Sequence, residues 1–128
     1  MNELSGYKEL KVGEKIFSLK FGTNATALFC IARGVDLNEI ASTGIYGKWE
    51  GDKMISPPDV YAILQLAWFA HVTACKIKGE ETSVGSMEEF IEYINEYEGV
   101  LDKIVEAMQT SKFLGKKITG EEVKKKQN

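Results

Sequence analysis

Residues 56–79 read SPPDVYAILQLAWFAHVTACKIKG, and this stretch decides the fold. Ser56 can cap a helix, Pro57 has no N–H to leave unpaired in a first turn, and Asp59 places a carboxylate near the positive helix end. Gly79 supplies the stop. The expected helix runs from Pro57 to Lys78. Val60, Ile63, Leu64, Ala67, Trp68, Val72 and Cys75 share one face, while Tyr61, Leu66, Phe69 and Ile77 carry apolar character around the cylinder. A helix apolar on most sides is central or forms an interface. Its most apolar run, Val60 to Cys75, is interrupted by Gln65, His71 and Thr73, which reads as a buried helix short of an ordinary membrane span.

Upstream, residues 7–21 (YKELKVGEKIFSLKF) alternate polar and apolar around Gly13, predicting a hairpin with Phe17, Leu19 and Phe21 on one face. A lone two-stranded ribbon is marginal in water, so that face must rest on the helices. TNATALFCIARG (23–34) reads as a short helix capped by Thr23 or Asn24 and ended by Gly34. Asp36 and Glu39 have capping-box spacing for another short helix. The link STGIYGKWEGDKMI (42–55) is a flexible loop or a small extra hairpin, and its glycines lack phosphate-loop spacing.

Downstream, Ser86 and Glu89 repeat the capping logic before MEEFIEYINEYEGVLDKIVEAMQTSKF (87–113). Its apolar period is close to 3.6, and Gly99 marks either a kink in one helix or a joint between two. The fold class expected is mainly α: one small helical domain over residues 1–114 with a short N-terminal β-hairpin. Residues 115–128 read as a polar, lysine-rich tail, flexible or carrying a short helix.

The chain has 128 residues, 44% of them hydrophobic, so about two thirds of its surface can be buried without disulfides or metal. Its net charge of −3 argues against specific nucleic-acid binding. The last fourteen residues hold five lysines and two glutamates, so the acidic excess lies in the body, concentrated at Glu80, Glu81, Glu88, Glu89, Glu92, Glu96 and Glu98. Cys30 and Cys75 lie in apolar helical stretches and lack redox or zinc spacing, and the first residues lack the pattern of a secretion signal. A reducing, cytoplasmic setting is expected.

Chemistry-bearing clusters are sparse. His71, the single histidine, sits between Ala70 and Val72 and reads as a hydrogen-bonded interior residue before it reads as a base. No catalytic residue, metal ligand or cofactor site is expected. The stronger signal is an excess of large apolar side chains on one helix, which a second copy of the chain or an apolar helical partner would cover. Tyr61, Leu64, Trp68, Phe69 and Phe90 are the interface candidates.

Two ordered blocks, GEKIFSLKFGTNATALFCIARGVDLNEI (13–40) and SPPDVYAILQLAWFAHVTACKIKGEETSVGSMEEFIEYIN (56–95), resemble the tail assembly chaperones of long-tailed bacteriophages and prophages. The matching pieces are Leu19 to Gly22, Ala27 to Gly34, Val60 to Lys76 and Ser86 to Ile94. The resemblance implies a helical protein that binds the tape measure protein, keeps its helical apolar regions soluble, helps recruit tail-tube subunits and is absent from the mature tail. It brings no active-site residues. Two other classes fit the same size: a structural tail or head-tail connector protein, and a small cytoplasmic enzyme.

Overall fold

The computed structural model describes residues 7–109, together with the backbone of residues 112–113 and 116–117. Helical turns take 54% of the described residues, making this a mainly α domain with an N-terminal β-hairpin. Strands β1 (Tyr7–Val12) and β2 (Lys15–Lys20) pair antiparallel, with Leu10 opposite Phe17 and Val12 opposite Lys15. Gly13, at φ 60°, occupies the first position of the two-residue turn, where a tight hairpin calls for glycine. Phe17, Leu19 and Phe21 are completely buried, as the alternation required.

Helix α1 (Thr23–Arg33) starts with Gly22 in the cap position, so neither Thr23 nor Asn24 caps it. Thr26, one turn in, donates its hydroxyl to the Gly22 carbonyl at 2.7 Å, and the first turn carries no side-chain cap. Gly34 ends the helix in the left-handed region at φ 71°. Asp36 and Glu39 then form the expected capping box on a 3-10 segment, Leu37–Thr43. The glycine-rich link folds as an extra hairpin, β3 (Lys48–Glu50) with β4 (Lys53–Ser56), and Met54 and Ile55 remain exposed on it.

The central helix α2 (Val60–Lys78) begins at Val60 rather than Pro57. Pro58 is the reason, because its ring crowds the preceding residue out of helical geometry and holds Pro57 extended. Capping therefore passes from Ser56 to Asp59, whose Oδ1 accepts the Ala62 N–H at 3.2 Å. Gly79 closes the helix as expected, its N–H donating to the carbonyls of Cys75 and Lys76. With 19 residues at mean hydropathy 1.3, α2 is long and apolar enough to cross a membrane, which corrects the shorter reading. Burial inside the fold accounts for the same composition: 56% of that stretch is buried.

Helix α3 (Met87–Asn95) is capped by Ser86, whose Oγ accepts the Glu89 N–H at 3.2 Å. Gly99, at φ 80°, separates it from α4 (Val100–Gln109), so the long apolar period belongs to two helices. The redirected chain lets Phe90 and Ile94 on α3, and Val100, Ile104, Ala107 and Met108 on α4, enter one core. Strand β2 and helices α1, α3 and α4 all pack on α2, and α4 also packs on β1. Beyond α4, β5 (Lys112–Phe113) pairs with β6 (Lys116–Lys117); the rest of residues 115–128, read as a polar tail, lies outside the described residues.

Tyr93 locks α3 to the first hairpin by donating its hydroxyl to the Val12 carbonyl at 2.8 Å. A Cβ at Gly13 would meet the Tyr97 ring carbon Cζ at 2.6 Å and the Tyr93 hydroxyl at 2.8 Å, whereas one at Gly51, also at φ 60°, would meet open space. Gly51→Ala should therefore cost only backbone strain, about 1–2 kcal/mol, and Gly13→Ala should add overpacking for a total of about 2–5 kcal/mol. Urea unfolding of both variants checks this; equal losses would show that the tyrosines do not confine the turn.

Candidate protein interface

An α-helix advances about 100° per residue, so Tyr61, Leu64, Trp68 and Val72 fall within an arc of about 80°, with Phe69 about 60° beyond. Tyr61 is 49% exposed, and Leu64, Trp68, Phe69 and Val72 are half-buried. Four of the five candidate residues thus share the outward side of α2. Gln65 falls between Val72 and Phe69; it is buried, and its Oε1 has no hydrogen-bond partner among the described residues.

Phe90 does not join them, and its place in the patch is corrected. It is 0% exposed, edge-on to Phe17 at 5.1 Å, tilted against Trp68 at 5.7 Å and stacked on His71 at 6.2 Å. The apolar side of α3 is turned onto α2 and β2, so its largest ring fills the space between them. The neighbouring Ile91 takes the half-exposed position instead.

Ile91 belongs to a groove of about 350 Å³ bounded by the start of α2, by α3 and by the start of α4. Val60 and Leu64 form one wall, Ile91 and Ile94 another, and Tyr97 and Leu101 close it beside Gly99. Val60 is 48% and Tyr97 40% exposed. Sequence reasoning missed Val60, Ile91, Tyr97 and Leu101 as surface neighbours of Leu64, because the break at Gly99 alone brings the α4 residue there. The i,i+4 spacing of Val60 and Leu64 was the available signal. Glu92 stands at the groove and also lines a wider, open hollow of about 860 Å³ formed by Lys15, Tyr93, Glu89 and the segment from Glu81 to Gly85.

His71 lies beneath this hollow and is fully committed. Its Nδ1 sits 2.9 Å from the Ser18 carbonyl oxygen, which can only accept, so Nδ1 carries the proton. Its Nε2 accepts the Ser83 N–H at 2.9 Å. Ser83 in turn donates its hydroxyl to the Ile16 carbonyl at 2.9 Å. One buried imidazole and one serine therefore satisfy the open edge of β2 and hold the α2–α3 connection against it. Cys75 Sγ approaches the ring nitrogens at 3.7 and 3.8 Å, one helical turn away. Burial and the nearby Glu80 carboxylate push its thiol up, against a weaker opposing pull from Lys78, so it stays protonated. Burial and Asp36 push Cys30 up as well. With both imidazole nitrogens occupied and the thiol neutral, the pair lacks the thiolate and free lone pair of an activated nucleophile. Among the described residues no group of three or more His, Cys, Asp or Glu is arranged to hold a metal ion.

Burial lowers the His71 pKa below 6.5, only partly opposed by the bond to Ser18. The unfolded chain therefore binds the proton first as pH falls through 6.5, and stability decreases until the lower folded-state pKa is passed; above 6.5 this residue contributes no pH dependence. His71→Phe should lose about 2–4 kcal/mol at neutral pH by orphaning the Ser18 carbonyl and the Ser83 N–H. It should also lose this component of acid sensitivity. Denaturant titrations across pH compare the two proteins; parallel profiles would refute the neutral-imidazole assignment.

No family model, no curated protein and no solved structure matches the chain.

Proposed function

We propose that this chain is a tail assembly chaperone that holds an apolar helical stretch of a tape measure protein until the tail tube is assembled around it. The observation that carries this reading is the side of α2 where exposed Tyr61 and half-buried Leu64, Trp68, Phe69 and Val72 leave apolar area uncovered at the rim of the core. Such a surface suits helix-in-groove recognition, which works through anchors at helical spacing. Aromatic anchors supply large contact area at little rotamer cost.

The surrounding charge supports the same role. A protein that handles an insoluble partner must itself stay in solution, and the acidic residues of α3 and its flanks keep the body hydrated. In the same reading the working place is the host cytoplasm, the tail-tube protein is a second partner, and the chemistry is binding, with no cofactor. Two copies of the chain would cover the α2 surface equally well, so a dimer that dissociates on partner binding is compatible with the proposal.

Co-expression with the neighbouring tail genes, followed by co-purification, tests it. The wild-type chain should retain the tape measure protein in the soluble fraction, and Tyr61→Ser with Phe69→Ser should reduce the captured amount about tenfold. Circular dichroism of the double variant should match wild type. Undiminished capture by a folded double variant would remove the α2 surface from the interface. Mass spectrometry of finished particles separates the reading from a structural tail or connector protein, which would be retained at stoichiometric levels where a chaperone is depleted.

A further inference from the structure

The groove between α2, α3 and α4 is walled by chain that lacks any cation. Residues 54–75 contain no lysine or arginine, and residues 86–102 contain none while carrying six carboxylates: Glu88, Glu89, Glu92, Glu96, Glu98 and Asp102. None of the six forms an ion pair among the described residues. Asp59, at the start of α2, is the carboxylate on this side that pairs with a cation, Arg33 at 3.9 Å. Leu64, Ile91, Ile94 and Leu101, by contrast, give the groove an apolar lining.

We infer that this groove seats one cationic amphipathic helix. Apolar side chains at i and i+3 or i+4 pack on that lining, and lysines or arginines on its flank meet the carboxylates of α3. A strand would need a free sheet edge to pair with, and the groove is bounded by helices and the turn between α3 and α4, with no strand in its lining. Glu88, Glu92 and Glu96 recur every four residues, about 6 Å apart along the α3 axis. Basic residues at the same four-residue interval on a partner helix meet them in turn. An anionic helix would face uncompensated repulsion there, so the carboxylates discriminate as well as attract. The inference deepens the proposed function, resting on it in taking a helical protein segment as the occupant.

Two synthetic amphipathic peptides of about twenty residues, long enough to hold some helix in water, provide the probe. They share one leucine face, and one carries lysines where its twin carries glutamates. Titrated against the full-length protein by fluorescence anisotropy, the lysine peptide should bind about tenfold tighter than its twin, and the difference should shrink with added salt. Glu92→Lys with Glu96→Lys should reverse the preference, and Val60→Ser, which removes apolar lining without adding charge, should weaken binding of both peptides. All three positions are exposed, so the fold tolerates these changes. Equal binding of the two peptides, or a lysine-peptide affinity unmoved by the charge reversal, would overturn the inference. If tail proteins co-purify while the peptides show no charge preference, the chaperone reading stands and the groove is not its specificity element. If the lysine peptide binds in the groove while no tail protein is captured, the groove stands and the chaperone reading falls.

Discussion

The architecture depends on one constraint: α2 carries apolar side chains on nearly every side and must be enclosed from several directions at once. A single partner helix would cover only a stripe of it. The domain instead assembles around it, with α1 and β2 on some faces and α3 and α4 on others. This makes the short elements possible as well as necessary. Neither a hairpin of two six-residue strands nor a nine-residue helix is stable alone, and each gains its stability from the surface it covers. Enclosure is incomplete along the arc from Tyr61 to Val72, and there the fold leaves apolar area for something else to cover.

His71 shows how polar groups are reconciled with that enclosure. A two-stranded hairpin laid against a helix has an open edge whose carbonyls would be buried unpaired. The imidazole takes one carbonyl on Nδ1 and returns a lone pair to Ser83 on Nε2, while the Ser83 hydroxyl takes the next carbonyl along the strand. Packed edge-on to Phe17 and stacked on Phe90, the ring contributes to the core as an aromatic and to the hydrogen-bonding as a two-sided connector. The same connection sets the approach of α3, and with it the position of the acidic side chains beside the groove.

Fold and surface therefore share parts. The turn at Gly99 exists to bring Ile104, Ala107 and Met108 inside, and its by-product is a groove between Leu64, Ile91 and Leu101. Phe90 supports Trp68 from below, so the half-exposed indole rests on a rigid floor rather than on solvent. A preorganised surface of this kind loses less conformational freedom on binding than a collapsing one, which favours recognition by a small domain.

Local signals in the chain were sufficient for the hairpin, the capping box at Asp36, the Ser86 cap and the stops at Gly34 and Gly79, because each follows from backbone stereochemistry within four or five residues. The same holds for the apolar candidates on α2, whose shared side follows from helical periodicity alone. The Pro57–Pro58 start was misplaced although the information was local, since the second proline's effect on the first outweighs a good cap two residues earlier. What periodicity cannot express is which of several apolar sides faces inward. Phe90 and Tyr61 are equally hydrophobic candidates on paper; only the packing of α3 across α2 and β2 put one at 0% exposure and left the other at 49%. The groove, and the committed state of His71, likewise arise from contacts spanning tens of residues, where tertiary structure chooses among faces that the sequence leaves equivalent.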